Sequence, residues 1–129
     1  MTHRSHGFTV IELLLIIVVI AGAGILFFVQ KNTVESIGRD QARKTAINAI
    51  YYNLEKVYFA ENGSYPQQLT DETFRALDPA LLTDPEGHKI GTAESDYRYE
   101  ATNCNDNACK SYTLRTSLEN EADFIRKND

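Results

Sequence analysis

The first feature of the chain is an apolar run that begins at Phe8 and ends at Val29. Its only charged residue is Glu12, and no further charge occurs before Lys31. A helix rises about 1.5 Å per residue, so this run is about 33 Å long and can cross the roughly 30 Å hydrocarbon core of a bilayer. In lipid a helix satisfies its backbone hydrogen bonds within one segment. The pattern therefore predicts a transmembrane helix that carries one unexplained carboxylate.

The chain becomes polar after this run, but nothing in the pattern ends the helix. Apolar positions recur at a spacing of three or four residues, at Ile47, Ile50, Leu54 and Val57. That spacing is typical of one buried helix face. No proline occurs between the apolar run and Pro66, and Asn62-Gly63 is a typical C-terminal stop. We therefore predict one helix from Phe8 to about Glu61, apolar all round at first and on one face later.

Residues 62–92 are predicted to form a loop and a short helix. Glycine and proline in the letters NGSYP interrupt regular structure. Thr70 or Asp71 can cap a short helix over the letters ETFRAL, with Phe74 and Leu77 on its inner face. The letters DPEG, with proline in second position, have the chemistry of a turn.

An alternating pattern over residues 96–118 predicts a β-hairpin. One face of the first strand carries Tyr97, Tyr99 and Ala101. One face of the second strand carries Tyr112, Leu114 and Leu118. Placing Cys104 opposite Cys109, across a four-residue loop, also pairs Ala101 with Tyr112 and Tyr99 with Leu114. Two close cysteines beyond a membrane segment suggest an oxidising compartment. We therefore predict a Cys104–Cys109 disulfide, worth roughly 2 kcal/mol, and a third, edge strand over the letters ADFIRK.

Together these elements predict an α+β fold, in which a long N-terminal α-helix packs on a small C-terminal antiparallel β-sheet. The first half of that helix is expected to be transmembrane.

The composition and the motifs exclude several classes of function. The chain has 129 residues and a formal net charge of −5, which argues against a nucleic-acid-binding surface. We find no catalytic set, no phosphate-binding glycine loop and no metal-ligand repeat. Neither an enzyme activity nor a cofactor is therefore expected. Asp84, Glu94 and Asp96 are expected to be solvated acids rather than metal ligands, and His88 an ordinary loop residue.

Three interpretations of the apolar run compete. A secretory signal peptide would use the A-x-A site at Ala21–Ala23, but Glu12 lies within its core and the apolar run continues past the cut. A plain membrane anchor leaves Glu12 as an unexplained cost, about 2.5–3.5 kcal/mol at the bilayer centre.

The third interpretation follows from the letters GFTVIELL at residues 7–14. This motif resembles the class III signal of type IV pilins and of the pseudopilins of type II secretion, and NGSYP resembles the end of their long helix. The resemblance implies the pilin fold and cleavage by a prepilin peptidase after Gly7, followed by N-methylation of Phe8. It also implies a leader peptide at 1–7, a transmembrane polymerisation helix at 8–29 and an extracytoplasmic domain at 30–129.

The resemblance suggests a role for the carboxylate. Cleavage would create a positive amine on Phe8, four residues from Glu12. In a fibre, Glu12 could face the Phe8 amine of a neighbouring subunit, where shielding from water strengthens the attraction. Alternatively, Glu12 reaches the lipid headgroups and has no partner. Gly22 and Gly24 weaken the helix, and they mark either a point of unwinding in the fibre or close helix packing.

The expected function is therefore a structural subunit of a type IV pilus, serving adhesion, motility or DNA uptake. The alternatives are a major pseudopilin of type II secretion and a membrane-anchored binding module that never polymerises. Expected partners are further copies of the chain, the prepilin peptidase, an inner-membrane assembly platform with its ATPase, and membrane lipid before assembly. No nucleic-acid partner is predicted. The expected location is the cytoplasmic membrane with the N-terminus inside, then a surface pilus.

Overall fold

The computed structural model describes residues 7–128. The helical elements are α1 (Val10–Asn53), a π-helix (Leu54–Tyr58), α2 (Phe59–Asn62) and a 3-10 helix (Pro79–Leu82). The strands are β1 (Tyr65–Pro66), β2 (Tyr97–Asn105), β3 (Ala108–Thr116) and β4 (Phe124–Lys127). Most of the predicted leader, with His3 and His6, lies outside the described residues.

The α+β prediction is confirmed, because a long N-terminal helix packs on a small antiparallel β-sheet. The strand β3 is central: it pairs with β2 on one side and with β1 and β4 on the other. The core joins one helix face to the sheet through Ile47, Ile50, Leu54, Tyr97, Tyr112 and Leu114.

The chain divides into two compact units, one ending at Glu35 and the other beginning at Ser36. α1 contributes residues to both of them. The apolar run of residues 8–29 belongs to the first unit, and the sheet and its core belong to the second.

The helix departs from the predicted regular pattern near its end. It begins at Val10 and reaches Asn62, but Leu54–Tyr58 forms a π-helix. A π-helix bonds each residue to the fifth along the chain, so later residues are rotated relative to a 3.6-residue pattern. Leu54 is fully buried as predicted, whereas Val57 is 37% exposed. Including Val57 in the buried face was therefore wrong.

The short helix predicted over residues 72–77 is absent from the described structure. That segment forms successive turns, in which Phe74 N–H donates to Asp71 and Leu77 N–H donates to Phe74. The short helix of this region lies further on, at Pro79–Leu82, and Asp78 caps it by accepting from Ala80 N–H at 2.9 Å. Phe74 is still buried and Leu77 half-buried, because a chain of turns can point both inward.

The hairpin has the predicted register. Cys104 lies opposite Cys109, and the two form a disulfide. The strands extend further toward the tip than expected, so the loop is only Asp106-Asn107 rather than four residues. Placing Leu118 on the inner face of the strand was wrong: β3 ends at Thr116, which is buried, and Leu118 follows it half-buried. The predicted edge strand is β4, which pairs Phe124 with Thr116.

Candidate assembly segment and the buried ion network

The apolar run is exposed at every residue except Gly24, which is half-buried. Its large apolar side chains range from 39% exposed at Ile16 to 82% at Val10. The helix that contains them is long and apolar enough to cross a membrane, and none of its most apolar window is buried. We call residues 8–29 the stem. Within residues 7–128, no segment covers these side chains, and exposed apolar surfaces of this size are typical of membrane or protein interaction sites.

Glu12 has a local partner that the sequence interpretation missed. Thr9 N–H donates to the Glu12 carboxylate at 3.5 Å, and Glu12 N–H donates to the Thr9 hydroxyl at 3.4 Å. This reciprocal pair is a capping box, which satisfies two of the N–H groups left free at a helix start. The signal was present in the letters TVIE, where threonine precedes glutamate by three residues. Glu12 therefore has a capping role besides any role in assembly.

The predicted processing residues Gly7 and Phe8 lie at the boundary where the stem begins, and the predicted flexibility residues lie in its middle. Gly7 and Phe8 precede the helix and are exposed, which leaves the bond between them open to solvent. Gly22 and Gly24 lie within regular α-helix, and a Cβ added at either would meet no atom within 4 Å. Among residues 7–128 no contact requires glycine at either position, so unwinding and close packing in a fibre both stay predictions.

The second unit contains a buried charge network that the sequence interpretation also missed. Arg43 is only 3% exposed and donates to four carboxylates. These belong to Glu86 at 2.7 Å, Glu119 at 2.8 Å, Asp96 at 3.1 Å and Asp40 at 3.2 Å. We call these five residues the Arg43 network. One guanidinium thereby ties α1 to the loop before β2 and to the segment after β3.

The acids of the network have further donors. Asp40 accepts hydrogen bonds from the backbone N–H groups of Glu119 and Asn120, at 2.8 and 3.0 Å, and from the Asn120 side chain at 2.9 Å. Arg39 contacts both carboxylate oxygens of Glu119, at 2.6 and 2.7 Å. Bidentate pairs of this kind are among the stronger side-chain interactions. The start of the segment after β3, at Glu119 and Asn120, is therefore held to α1 by charged hydrogen bonds.

These contacts shift the pKa values of the groups involved. Hydrogen bonds from Arg39 and then Arg43 lower the pKa of Glu119 to about 2. Burial alone would raise the pKa of Asp40, but the hydrogen bonds from Glu119 and Asn120 outweigh it and lower that pKa to about 2. Burial would lower the pKa of Arg43, yet the Glu119 hydrogen bond and the Glu86 charge raise it. All three groups are held in their charged forms.

The prediction that Asp84 and Asp96 are solvated acids was wrong. Asp84 is buried and accepts hydrogen bonds from His88 N–H at 2.7 Å and from Asp96 N–H at 2.9 Å. Asp96 is half-buried and paired with Arg43. Glu94 is exposed, as expected. His88 is an exposed loop residue whose Nδ1 lies 3.7 Å from the Asp84 carboxylate.

Carboxylate oxygens of Asp84, Glu86 and Asp96 lie within 4.8 Å of one another, a spacing that a metal ion could bridge. The acceptors are already engaged, because Arg43 contacts Glu86 and Asp96 while backbone N–H groups contact Asp84. A metal would have to compete with a buried guanidinium. The arrangement is that of an ion-pair network with an internal cation.

The sequence carried a partial signal for this network. Arg43 precedes Ile47 by four residues and Ile50 by seven, so it continues the same helix face toward the N-terminus. Because the prediction counted only apolar residues, it placed the N-terminal end of the buried helix face at Ile47 and left out Arg43. The identity of the partners could not be read, since Glu86, Asp96 and Glu119 follow Arg43 by 43, 53 and 76 positions.

A tyrosine cluster secures the π-helix to the sheet. Glu55, within the π-helix, accepts hydrogen bonds from the hydroxyls of Tyr65 and Tyr112, each at 2.9 Å at its shortest. The Tyr65 and Tyr112 rings also meet edge to face, 4.7 Å apart. Burial and then the Glu55 hydrogen bond raise the pKa of Tyr112, which keeps its hydroxyl a donor. The widened turn thus carries a specific contact as well as a change of register.

Comparison with protein-family models, with curated proteins and with solved structures finds no significant match. The pilin resemblance therefore depends on the residues of the N-terminal motif and on the letters NGSYP.

Proposed function

We propose that this chain is a structural filament subunit of the type IV pilin kind. In this proposal a prepilin peptidase cleaves after Gly7 and methylates Phe8, and the stem holds the subunit in the cytoplasmic membrane with its N-terminus inside. Copies of the chain then leave the bilayer and assemble through their stems into a surface pilus, on an assembly platform driven by an ATPase.

The observation that carries the proposal is the exposed stem with a single acid near its start. Lipid and a bundle of stems are both apolar, so Leu, Ile and Val side chains gain little hydrophobic free energy by moving from one to the other. A charge pair between Glu12 and the Phe8 amine of a neighbour would favour transfer of the stem from lipid to the bundle. It would also fix the axial register of the subunits. An unpaired carboxylate in lipid costs free energy, and pairing it removes much of that cost.

The mass of the mature chain tests processing. The proposal predicts a product that begins at Phe8 and carries one added methyl group, measured by intact-mass spectrometry of protein from a host that has prepilin peptidase. A product that keeps residues 1–7 in such a host would favour the membrane-anchored binding module instead.

Three substitutions separate assembly from helix capping. Glu12→Ala removes both roles, whereas Glu12→Gln keeps a capping side chain and removes the charge. Thr9→Ala weakens the capping box and keeps the charge. We expect both Glu12 variants to stay in the membrane fraction while sheared filaments fall by about tenfold or more, which corresponds to about 1.4 kcal/mol or more. Thr9→Ala should keep most filaments.

Normal filament yield from Glu12→Gln, or an equal loss from Thr9→Ala, would contradict the pairing role. A major pseudopilin of type II secretion is the nearest alternative, because the GFTVIELL motif resembles both groups. Deleting the gene distinguishes them: loss of surface filaments with normal protein secretion supports the pilus, and the opposite result supports the pseudopilus.

A further inference from the structure

We propose that the second unit binds a neutral carbohydrate in a groove beside the end of its helix. The groove is open and has a volume of about 710 Å³. The helix end forms one wall, and the turns that follow β1 form the other. The residues that carry the proposal are Tyr58, Glu61, Gln67, Gln68 and Asn107, which all line it. This inference goes beyond filament assembly and does not depend on it.

The π-helix places an aromatic ring at the groove. Val57 and Tyr58, its last two residues, line the groove, although regular α-helix would continue the inward-facing pattern through Val57. π-helices are rare and frequently occur at functional sites. Here the Glu55 contacts with Tyr65 and Tyr112 hold the widened turn in place. The half-exposed Tyr58 ring offers an apolar face against which the C–H groups of a sugar ring can pack.

The opposite wall is also held in position. The Tyr99 hydroxyl donates to the Pro66 carbonyl at 2.6 Å, which fixes the chain just before Gln67. Further along, Thr70 N–H donates to the Thr73 hydroxyl at 3.2 Å. Walls that are ordered before binding lower the entropy cost of taking up a ligand.

Four of the polar side chains that line the groove are available to a ligand. Gln67, Gln68, Asn107 and Glu61 are exposed, and their side chains make no hydrogen bond within residues 7–128. A side-chain amide offers both donors and an acceptor. A hydroxyl likewise donates and accepts, so neighbouring hydroxyls of a sugar can satisfy both ends of each amide.

The charges select against other ligand classes. Glu72 and Arg75 pair with each other at 3.0 Å, which leaves Glu61 as the unbalanced charge among the residues that line the groove. An anion would meet Glu61 and would leave the amide oxygens without donors. An amine would leave the amide N–H groups without acceptors. A lipid chain would leave these polar groups dehydrated. A neutral polyhydroxylated ligand has none of these conflicts.

The test uses the full chain in a zwitterionic detergent without a sugar headgroup, followed by NMR of its glutamine and asparagine side-chain amides. Malto-, cello- and chito-hexaose are titrated separately to about 10 mM, and oligolysine and polygalacturonate serve as charged comparisons. We expect at least one neutral oligosaccharide to shift the amide signals of Gln67 and Gln68, with a Kd between about 0.1 and 5 mM.

The double variant Gln67→Ala/Gln68→Ala and the single variant Tyr58→Leu should each weaken that binding by about fivefold or more. Gln41→Ala is the matched control, since Gln41 is an exposed glutamine that does not line the groove, and it should bind normally. The proposal is overturned if no neutral oligosaccharide shifts these signals, if only a charged probe does, or if the double variant binds as tightly as the unchanged chain.

Discussion

The stem and the second unit use the same apolar residue types in opposite ways. Ile17 is 59% exposed in the first unit, whereas Ile47 and Ile50 are fully buried in the second. Their acids differ as well: within residues 7–128 Glu12 forms a capping pair with Thr9, while Asp40 and Glu119 belong to a network with a buried arginine. Among the described residues, the second unit buries its apolar core within one chain, whereas the stem leaves its apolar side chains exposed.

The largest expected effect comes from breaking the charge network. Arg43→Ala leaves buried and half-buried carboxylates without their cation, so we expect the second unit to lose about 4 kcal/mol of unfolding free energy. Urea unfolding of the full chain in detergent, followed by near-UV circular dichroism, measures it. Arg75→Ala is the control, because Arg75 forms an exposed pair and should cost less than about 1 kcal/mol. Equal losses would mean that burial of the network matters little.

A matched pair of isoleucines tests the comparison directly. Ile50→Ala should lower the free energy of unfolding by about 3 kcal/mol, because it leaves a cavity among buried residues. Ile17→Ala makes the same chemical change at a side chain that is 59% exposed, so the same unfolding measurement should stay within about 0.5 kcal/mol of the unchanged chain. A similar loss from both would show that the stem takes part in the folding of the second unit.

Opening the disulfide should have a smaller effect. Cys104 and Cys109 close a short loop at the hairpin tip, and the chain-entropy model gives roughly 2 kcal/mol for it. In the variant Cys104→Ala/Cys109→Ala we expect the urea midpoint to fall by the amount that corresponds to a loss of roughly 2 kcal/mol in unfolding free energy. Adding reductant to the unchanged chain is the matched control and should reproduce most of the loss. No change in either case would show that strand pairing alone maintains the tip.

The last prediction is a dependence of stability on pH, which is spread over several pH units. The pKa of Glu119 and that of Asp40 lie at about 2 in the folded chain, below the ordinary values of 4.5 and 3.8. A lowered folded-state pKa adds stability above the ordinary value, and that stability is lost as pH falls toward the lowered value. The urea midpoint should therefore fall between about pH 5 and pH 2. Arg39→Ala should flatten this slope, and an unchanged slope would contradict the assigned cause.

Much of the fold could be predicted from local patterns. The apolar run, the buried positions Ile47 and Ile50, and the pairing of Tyr99 with Leu114 all followed from spacing along the chain. The hairpin register was predictable because two cysteines and an alternating pattern required the same alignment. Each of these inferences compares residues that are close in sequence.

Other features required contacts between distant segments. The π-helix is one, because the Glu55 carboxylate accepts a hydrogen bond from Tyr112, which lies 57 positions away. The change from α-helix to π-helix at this point leaves Val57 exposed. The turns at residues 72–77 were also missed, since local propensity favoured a helix there, and nothing in the structure explains why turns form instead.

The sequence by itself determined that one segment is suited to lipid and that another forms a disulfide-bonded hairpin. Residue spacing is enough for these conclusions, because periodicity and chain closure are local properties. Only the tertiary structure decided which carboxylates surround Arg43, where the helix widens and which side chains line the groove. Those outcomes depend on desolvation and hydrogen bonding between segments that meet only after the chain has folded.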